Sequence, residues 1–398
     1  MLKTWRWFGP SDKITLSMLR QIGVEGIVTS LHGVANGEVW TEEAIGALRR
    51  FIEKEGLTWS VVESLPVSEA IKYGGPERDR LIDNYRTSLV HLADQGIRTI
   101  CYNFMPVLDW ARTDLSHPWP DGGSSLYFSQ RRFICFDCFI LRREGATRDY
   151  PAEEVAAAEE LFHTMSEADK AQLIDAIIVK TQGFVSGNIS EEERHPVERF
   201  RQLLALYDGI GREQLRANMR YFLESIIDVC RERDIRLCVH PDDPPRPLLG
   251  LPRIISCEED IDWLFAAVPD EHNGLTFCCG SLSAGAQNDV PALARKYAKR
   301  CPFVHLRSTD LLPGGDFIEA DHLHGRADLI SVCETFEELN PDVPMRVDHG
   351  RTILGDEDKG YNAGYSFHGR MLALGQMDGV METLRFCRGQ KRRMRNEE

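Results

Sequence analysis

The chain has no apolar run long enough to span a bilayer, so a membrane-embedded protein is not expected. Its opening, MLKTWRWFGP, carries charge at once and holds no apolar segment of signal-peptide length. Cysteine is scarce, with 11 in 398 residues, which is too few for a disulfide scaffold. A reducing cytosol is therefore the expected compartment. Positive charge is also short. Lys and Arg number 47 against 62 Asp and Glu, a net charge of −15 that repels polyphosphate. Nucleic acid is thus not an expected partner. The one basic run, Lys391–Arg395, is short and terminal, and reads as a frayed tail. No repeat of fixed period occurs, and no P-loop, G-x-S-x-G or G-x-G-x-x-G sits between a strand-like run and a helix. What is present is an ordinary globular composition, 42% hydrophobic and 27% charged.

At roughly 150 residues per domain, the length alone suggests two or three domains. The pattern along the chain points elsewhere. Short apolar runs end in polar residues, and helical patterns follow them. The runs are Thr4–Phe8, Gly26–Leu31, Thr58–Glu63, Arg98–Phe104, Arg236–His240, Leu275–Cys279, Phe303–Arg307 and Met345–His349. Helices are expected after the first run, capped by Ser11, then over Thr41–Glu55 and from Pro76 to Gln95. Others are expected at Arg212–Arg233, Cys257–Ala267, Val290–Arg300, Ala327–Leu339 and Gly369–Cys387. Eight runs alternating with helices predict parallel pairing in a single (β/α)8 TIM barrel. Tryptophan in the first and third runs suggests a wide or irregular barrel interior. Between residues 105 and 212 no barrel strand is evident. Helical patterns at Pro151–Met165, Glu167–Val179 and Pro196–Asp208 make this stretch a helical insertion after strand four, a lid over the active site. The whole of 1–398 then reads as one domain.

Chemistry in such a barrel gathers at the C-terminal ends of the strands. The fifth run ends at His240 and the sixth at Cys278-Cys279. The seventh contains His305 and Arg307, and the eighth ends at Asp348-His349. Four consecutive strands thus offer imidazole, thiolate, imidazole and carboxylate to one centre. That set suits Mn(II), Fe(II), Co(II) or Zn(II), not Ca(II) or Mg(II). Alternation sends only one of Cys278 and Cys279 inward. Against this stands the plainer reading that any single strand-end histidine is a hydrogen-bonded core residue. Cys135-Phe136-Asp137-Cys138 is a lone C-x-x-C in the irregular insertion and carries little weight. His322, in His322-Leu323-His324, suits a substrate or structural contact. Arg112-Thr113-Asp114 suits substrate holding or a salt-bridged loop.

Several segments carry a resemblance to a known family. They are TWRWFGP at Thr4–Pro10, WSVVES at Trp59–Ser64, CYNFMPVLDWARTD at Cys101–Asp114, HPDDPPRPLLGLPRI at His240–Ile254, HLRST at His305–Thr309 and RVDHG at Arg346–Gly350. They span nearly the whole chain, and it resembles the mannonate dehydratases with a xylose-isomerase-like barrel. The resemblance implies a hydro-lyase that converts D-mannonate to 2-keto-3-deoxy-D-gluconate and water in hexuronate breakdown. It implies Mn(II) or Fe(II) held by His240, Cys278, His305 and Asp348, and an acid/base pair of His349 and Tyr365. The family more often reads Asn-Pro-Gly-Tyr where this chain has Asn362-Ala363-Gly364-Tyr365, and Tyr361 competes if that loop is offset. The second cysteine of Cys278-Cys279 is another departure.

Such a reaction removes the C2 proton beside a carboxylate that is already anionic. It therefore calls for a Lewis acid, a base, and an acid for the departing C3 hydroxyl. Arg307, Arg246, Asn103 and His322 are the expected substrate contacts. A cytoplasmic homo-oligomer, most simply a dimer, is expected, with a small sugar acid and no membrane or nucleic acid as partner. The rivals are a metal-dependent sugar isomerase on the same barrel and a non-catalytic sugar-acid binder.

Overall fold

The computed structural model describes residues 1–181, 189 and 193–397, with backbone alone for 390–397. Twelve strands are present among these residues: β1 (Leu2–Arg6), β2 (Gly26–Thr29), β3 (Thr58–Glu63), β4 (Thr99–Tyr102), β5 (Asp114–Pro118), β6 (Ser124–Phe128), β7 (Arg236–Val239), β8 (Asn273–Cys278), β9 (Phe303–Leu306), β10 (Thr309–Leu311), β11 (Phe317–Glu319) and β12 (Pro344–Val347). Eight of them close a barrel in the order β1-β12-β9-β8-β7-β4-β3-β2, with parallel neighbours throughout. These are the eight expected runs, with no end shifted by more than two residues and β3 matching at both ends. The chain is thus a (β/α)8 barrel. No helix among the described residues is long and apolar enough to cross a membrane.

The helices follow the amphipathic patterns closely. Arg212–Arg233 matches its expected range, and Glu42–Glu53 opens on Thr41, whose hydroxyl accepts from the Ala44 amide at 3.3 Å. The first helix differs. It spans Leu16–Gln21, and Thr15 caps it in place of Ser11. The closing helix, Phe367–Glu397, runs past Cys387 and takes in the basic run read as a frayed tail.

The tryptophans pack outward, contrary to the expectation of a wide interior. Trp5 lies under the Arg370 guanidinium at 4.0 Å and beside Phe367, both from the closing helix. Trp7 stacks on Phe51 of the second helix. Inside the barrel Val28, Val61, Cys101, Cys238 and Phe303 form a small cluster of their own, distinct from the large strand–helix core. Short and medium side chains fill this interior, because five strands contribute to it at one level.

The insertion is helical over Gln130–Cys135, Ala152–Thr164, Glu167–Ile174 and Pro196–Ala205, and part of it lies outside the described residues. It also carries the β5–β6 hairpin, which sequence reasoning missed. That hairpin joins β10 and β11 in an antiparallel sheet of order β10-β11-β6-β5. Since β10 follows β9 within three residues, this sheet is anchored at the C-terminal end of the barrel. Ser124 at the start of β6 also exchanges backbone hydrogen bonds with Thr352, at 3.1 and 2.8 Å, three residues beyond His349.

Candidate active site and metal centre

Strand parity places the site. The alternation that turns Cys101, Cys238 and Phe303 into the barrel turns Asn103, His240 and His305 inward two residues later. Thr276, which donates to the Cys101 sulfur at 3.2 Å, sets the same parity for Cys278. As a result His240, Cys278 and His305 bring one ligand atom each to within 4.8 Å of one another. A metal bound at about 2.0–2.3 Å holds its ligand atoms about 3.3–4.5 Å apart, so the spacing fits a single ion. Cys279 instead begins the next helix, buried beside Cys333, and burial with its sulfur neighbours pushes its thiol well up.

The donor chemistry fits as well. His240 Nδ1 lies 2.7 Å from the Pro241 carbonyl, which makes Nδ1 a donor. Burial opposes charge on the ring, but the Cys278 sulfur outweighs it and raises the pKa to about 10, through a shared proton that a bound metal would displace. His305 is completely buried and neither ring nitrogen has a hydrogen-bond partner. Burial and Arg346 hold its pKa well below the usual histidine range, so it is neutral. Its Nε2 lies 3.3 Å from a Glu63 oxygen and its Nδ1 3.5 Å from Asp348, so the ring faces carboxylates without a well-formed hydrogen bond to either. Ser281 donates to the Cys278 sulfur at 3.2 Å. The Asp348 carboxylate stands at the edge of the trio, 3.5 Å from His305 Nδ1 and 3.9 Å from the Cys278 sulfur. It also accepts from Arg307 Nε at 2.7 Å and from Arg346.

Beneath and beside the trio runs a buried charge network. Arg307 donates to Asp348, to Glu319 at 2.7 Å, to Asp243 at 2.5 Å and to Ser281 at 3.0 Å. Arg112, fully buried, spans Asp243 at 2.8 Å and Glu319 at 2.5 Å. Arg346 grips Glu63 with two bonds of 2.9 Å. Burial opposes the charge on Glu319, but Arg307 and Arg112 outweigh it and hold this carboxyl down to about 2. Asp243 is held below its ordinary value in the same way. Both carboxyls have folded-state pKa values below their unfolded ones. Their contribution is therefore complete above the ordinary carboxylate range of about 4 and is lost as pH falls toward about 2. Replacing Asp243 by Asn leaves Arg112 and Arg307 short of an anion. The expected loss is about 3–5 kcal/mol of stability near neutral pH, shrinking as the medium becomes acid. Urea unfolding at two pH values measures it, and an unchanged midpoint would contradict the network's role.

His349 and Tyr365 face the same cavity. His349 Nδ1 lies 3.1 Å from Glu319, its ring packs 4.8 Å from Trp110, and Tyr365 meets it edge-on at 5.2 Å. The chain can bring the two rings together because residue 364 is glycine. Gly364 adopts φ +79°, and a Cβ there would stand 3.0 Å from the His349 ring. Burial pushes the Tyr365 phenol well up, so it stays protonated. Tyr361 lines a separate groove with Asn362 and Ala363, outside the cavity.

The cavity wall includes His240, Asp348, His349, Tyr365, Asn103 and Arg307. Two expected substrate contacts lie outside it. Arg246 donates to the Gly315 carbonyl at 2.8 Å and covers the Phe128 ring. Packing against the hairpin sheet draws it away. His322 is buried outside the wall, and burial pushes it down to about 4. Arg112 belongs to a salt-bridged loop, and Arg307 meets the cavity with most of its donors already engaged. In the C-x-x-C, burial pushes both Cys135 and Cys138 up to about 11, as expected of inert thiols.

Several wall residues escaped sequence reasoning, notably Arg6, Glu63, Asp109 and Trp110. Arg6 and Glu63 end β1 and β3, so the strand-end test applied to the later strands would have found them. Glu319 ends a three-residue strand of the second sheet, for which no local signal exists.

Fold and side chains together define a (β/α)8 barrel with a possible metal site at the strand ends and an imidazole–phenol pair beside it. Comparison with known proteins narrows the class. The family model described as D-mannonate dehydratase (UxuA) matches residues 1–391. A mannonate dehydratase from Marinomonas sp. (strain MWYL1) is 44% identical over 390 residues, covering 96% of this chain and 98% of that protein. One from Chromohalobacter salexigens is 43% identical over 394 residues, covering 97% and 99%. The crystal structure of mannonate dehydratase from Streptococcus suis serotype 2 superposes with a TM-score of 0.79 at 32% identity, covering 98% and 96%. A xylose isomerase domain protein from Alicyclobacillus acidocaldarius shares the fold, with a TM-score of 0.51 at 11% identity. The chain belongs to the D-mannonate dehydratase family, a family of hydro-lyases.

Proposed function

We propose that this chain eliminates water from D-mannonate to give 2-keto-3-deoxy-D-gluconate, using Mn(II) or Fe(II) held by His240, Cys278, His305 and Asp348. The observation that carries the reading is the convergence on one cavity of a metal-capable trio and the His349–Tyr365 pair. When bound, the ion supplies Lewis-acid stabilisation of the charge that builds on the substrate's carboxylate and C2 oxygens. Four protein ligands plus substrate oxygens exceed tetrahedral coordination, which supports Mn(II) or Fe(II) over Zn(II).

The chain's own residues handle the protons. Glu319 accepts from His349 Nδ1, so Nε2 keeps its lone pair and takes the C2 proton. The buried phenol of Tyr365 keeps its proton and delivers it to the departing C3 hydroxyl. The C2–H and C3–O bonds break, water leaves, and the resulting enol becomes the 2-keto acid. Trp110 and Phe8 pack against this pair and exclude bulk water. Asn103 at the wall offers a hydroxyl contact, and it donates to Asp109 at 2.8 Å.

The insertion, residues 105–212, serves as the lid of this single domain. Supporting this, it supplies Trp110 and Asp109 to the cavity wall, and its hairpin pairs beside the His349 loop. A thiolate ligand needs a reducing compartment, which supports a cytoplasmic enzyme. Incubation with D-mannonate and Mn(II) is expected to yield a 2-keto-3-deoxy acid, and a chelator to stop it. Appearance of an isomeric sugar in place of the keto acid would overturn the reading.

A further inference from the structure

Three arginines line the cavity: Arg6, Arg307 and Arg346. Two of them are bound by carboxylates, Arg307 by Asp243, Glu319 and Asp348, and Arg346 by Glu63 and Asp348. Arg6 differs. It is 3% exposed, its Nη1 is buried without a hydrogen-bond partner, and no carboxylate among the described residues forms an ion pair with it. Its guanidinium carbon lies 5.0 Å from the centre of the Phe8 ring. Glu63, the acid that acts on it most, spends both oxygens on Arg346. An arginine stays charged even when burial lowers its pKa, so this guanidinium is a desolvated cation that forms no ion pair among the described residues and feels Glu63 only at longer range.

Its position gives the unpartnered Nη1 a direction. β1 pairs with β12 in parallel, with Thr4 opposite Arg346. Two residues further on, the same parity puts Arg6 and Asp348 on adjoining strand ends facing the cavity. An anion held by Arg6 would therefore lie beside the metal-capable cluster and within the wall shared with His349 and Tyr365.

We propose that Arg6 is the carboxylate-binding residue of the site. It presents its planar donors to the acid group of the substrate and so selects aldonates over neutral polyols and aldoses. Of the two arginines expected as substrate contacts, Arg307 is occupied by protein carboxylates and Arg246 lies outside the cavity. The proposal rests on the dehydratase reading of the same cavity and names the residue that makes it acid-specific.

The test compares binding of D-mannonate and D-mannonamide to the manganese-loaded full chain by calorimetry, for the wild type, Arg6→Met and Arg6→Lys. Arg6→Met is expected to weaken D-mannonate about 10- to 100-fold and D-mannonamide less than about threefold, since the amide lacks the charge that Arg6 pairs with. Arg6→Lys keeps the charge and is expected to retain most of the preference for the acid. It also carries the test, with Arg6→Gln, if Arg6→Met is insoluble. Equal weakening of both ligands, or of neither, would overturn the proposal. Wild-type keto-acid formation is scored separately, and D-gluconate is included as a second acid. Failure to dehydrate D-mannonate would thus count against the function, and an unchanged acid preference against Arg6.

Discussion

The His240→Ala variant is expected to retain no stoichiometric Mn(II) after gel filtration and to form keto acid at least about 10³-fold more slowly than the wild type. Of the four proposed ligands, His240 is the one whose removal disturbs least else. Its Nδ1 hydrogen bond to the Pro241 carbonyl is local, and its only other strong partner is the Cys278 sulfur of the same cluster. Losing one of three close donors leaves Cys278 and His305 with only Asp348, whose oxygens are shared with Arg307 and Arg346. Without the ion, nothing else in the cavity matches its concentrated charge beside the C2 centre, and several kcal/mol of transition-state stabilisation go with it. Asp348→Ala should lose metal too. It also strips two buried arginines of an acceptor, so its stability falls and its result is harder to read. Metal analysis of the purified variants alongside the keto-acid assay decides. Full activity in a metal-free protein would sink the metal-dependent mechanism.

The second large effect separates chemistry from metal binding. His349→Asn is expected to keep its metal and its affinity for D-mannonate while turnover drops about 10²–10⁴-fold, the usual worth of a general base. Asparagine retains a polar group near Glu319 and leaves the ion pairs of Glu319 with Arg112 and Arg307 in place. It cannot carry the C2 proton. A fall in kcat with an unchanged binding constant is the expected pattern. Activity within tenfold of the wild type would remove His349 from the reaction, and loss of metal would recast it as part of the metal site.

Much of the site was legible in one dimension because barrel strands carry their chemistry at their ends. His240, Cys278, His305 and Asp348 each fall at the close of an apolar run, and the period-two pattern allowed only one of Cys278 and Cys279 to face inward. The contacts that distinguish Arg6 from Arg307 were not legible. Both are arginines at or next to strand ends, and both lie in segments that carry the family resemblance. Arg307 is nevertheless consumed by Asp243, Glu319 and Asp348, which come from three different segments. The β5–β6 hairpin was missed because its partners, β10 and β11, lie far along the chain. Glu319 was missed for the same reason. Its importance comes from touching His349, Arg112 and Arg307, none of which is its sequence neighbour.

The opening scarcity of cysteine and basic residues has sharpened in meaning. Among eleven thiols, Cys278 is the one that meets two imidazoles at ligand spacing. By itself, the sequence determined the elements: eight apolar runs, the helices between them, and the face each strand-end residue presents. These are local properties, set by helical and strand periodicity over a few residues. The tertiary structure alone decided which charges meet. Closing the barrel brought β1 against β12, and the second sheet brought the insertion against β11. A guanidinium that finds carboxylates, as Arg307 does, becomes scaffold. Arg6, which forms no ion pair among the described residues, is the one proposed to meet a ligand, because a buried charge is worth only what lies opposite it.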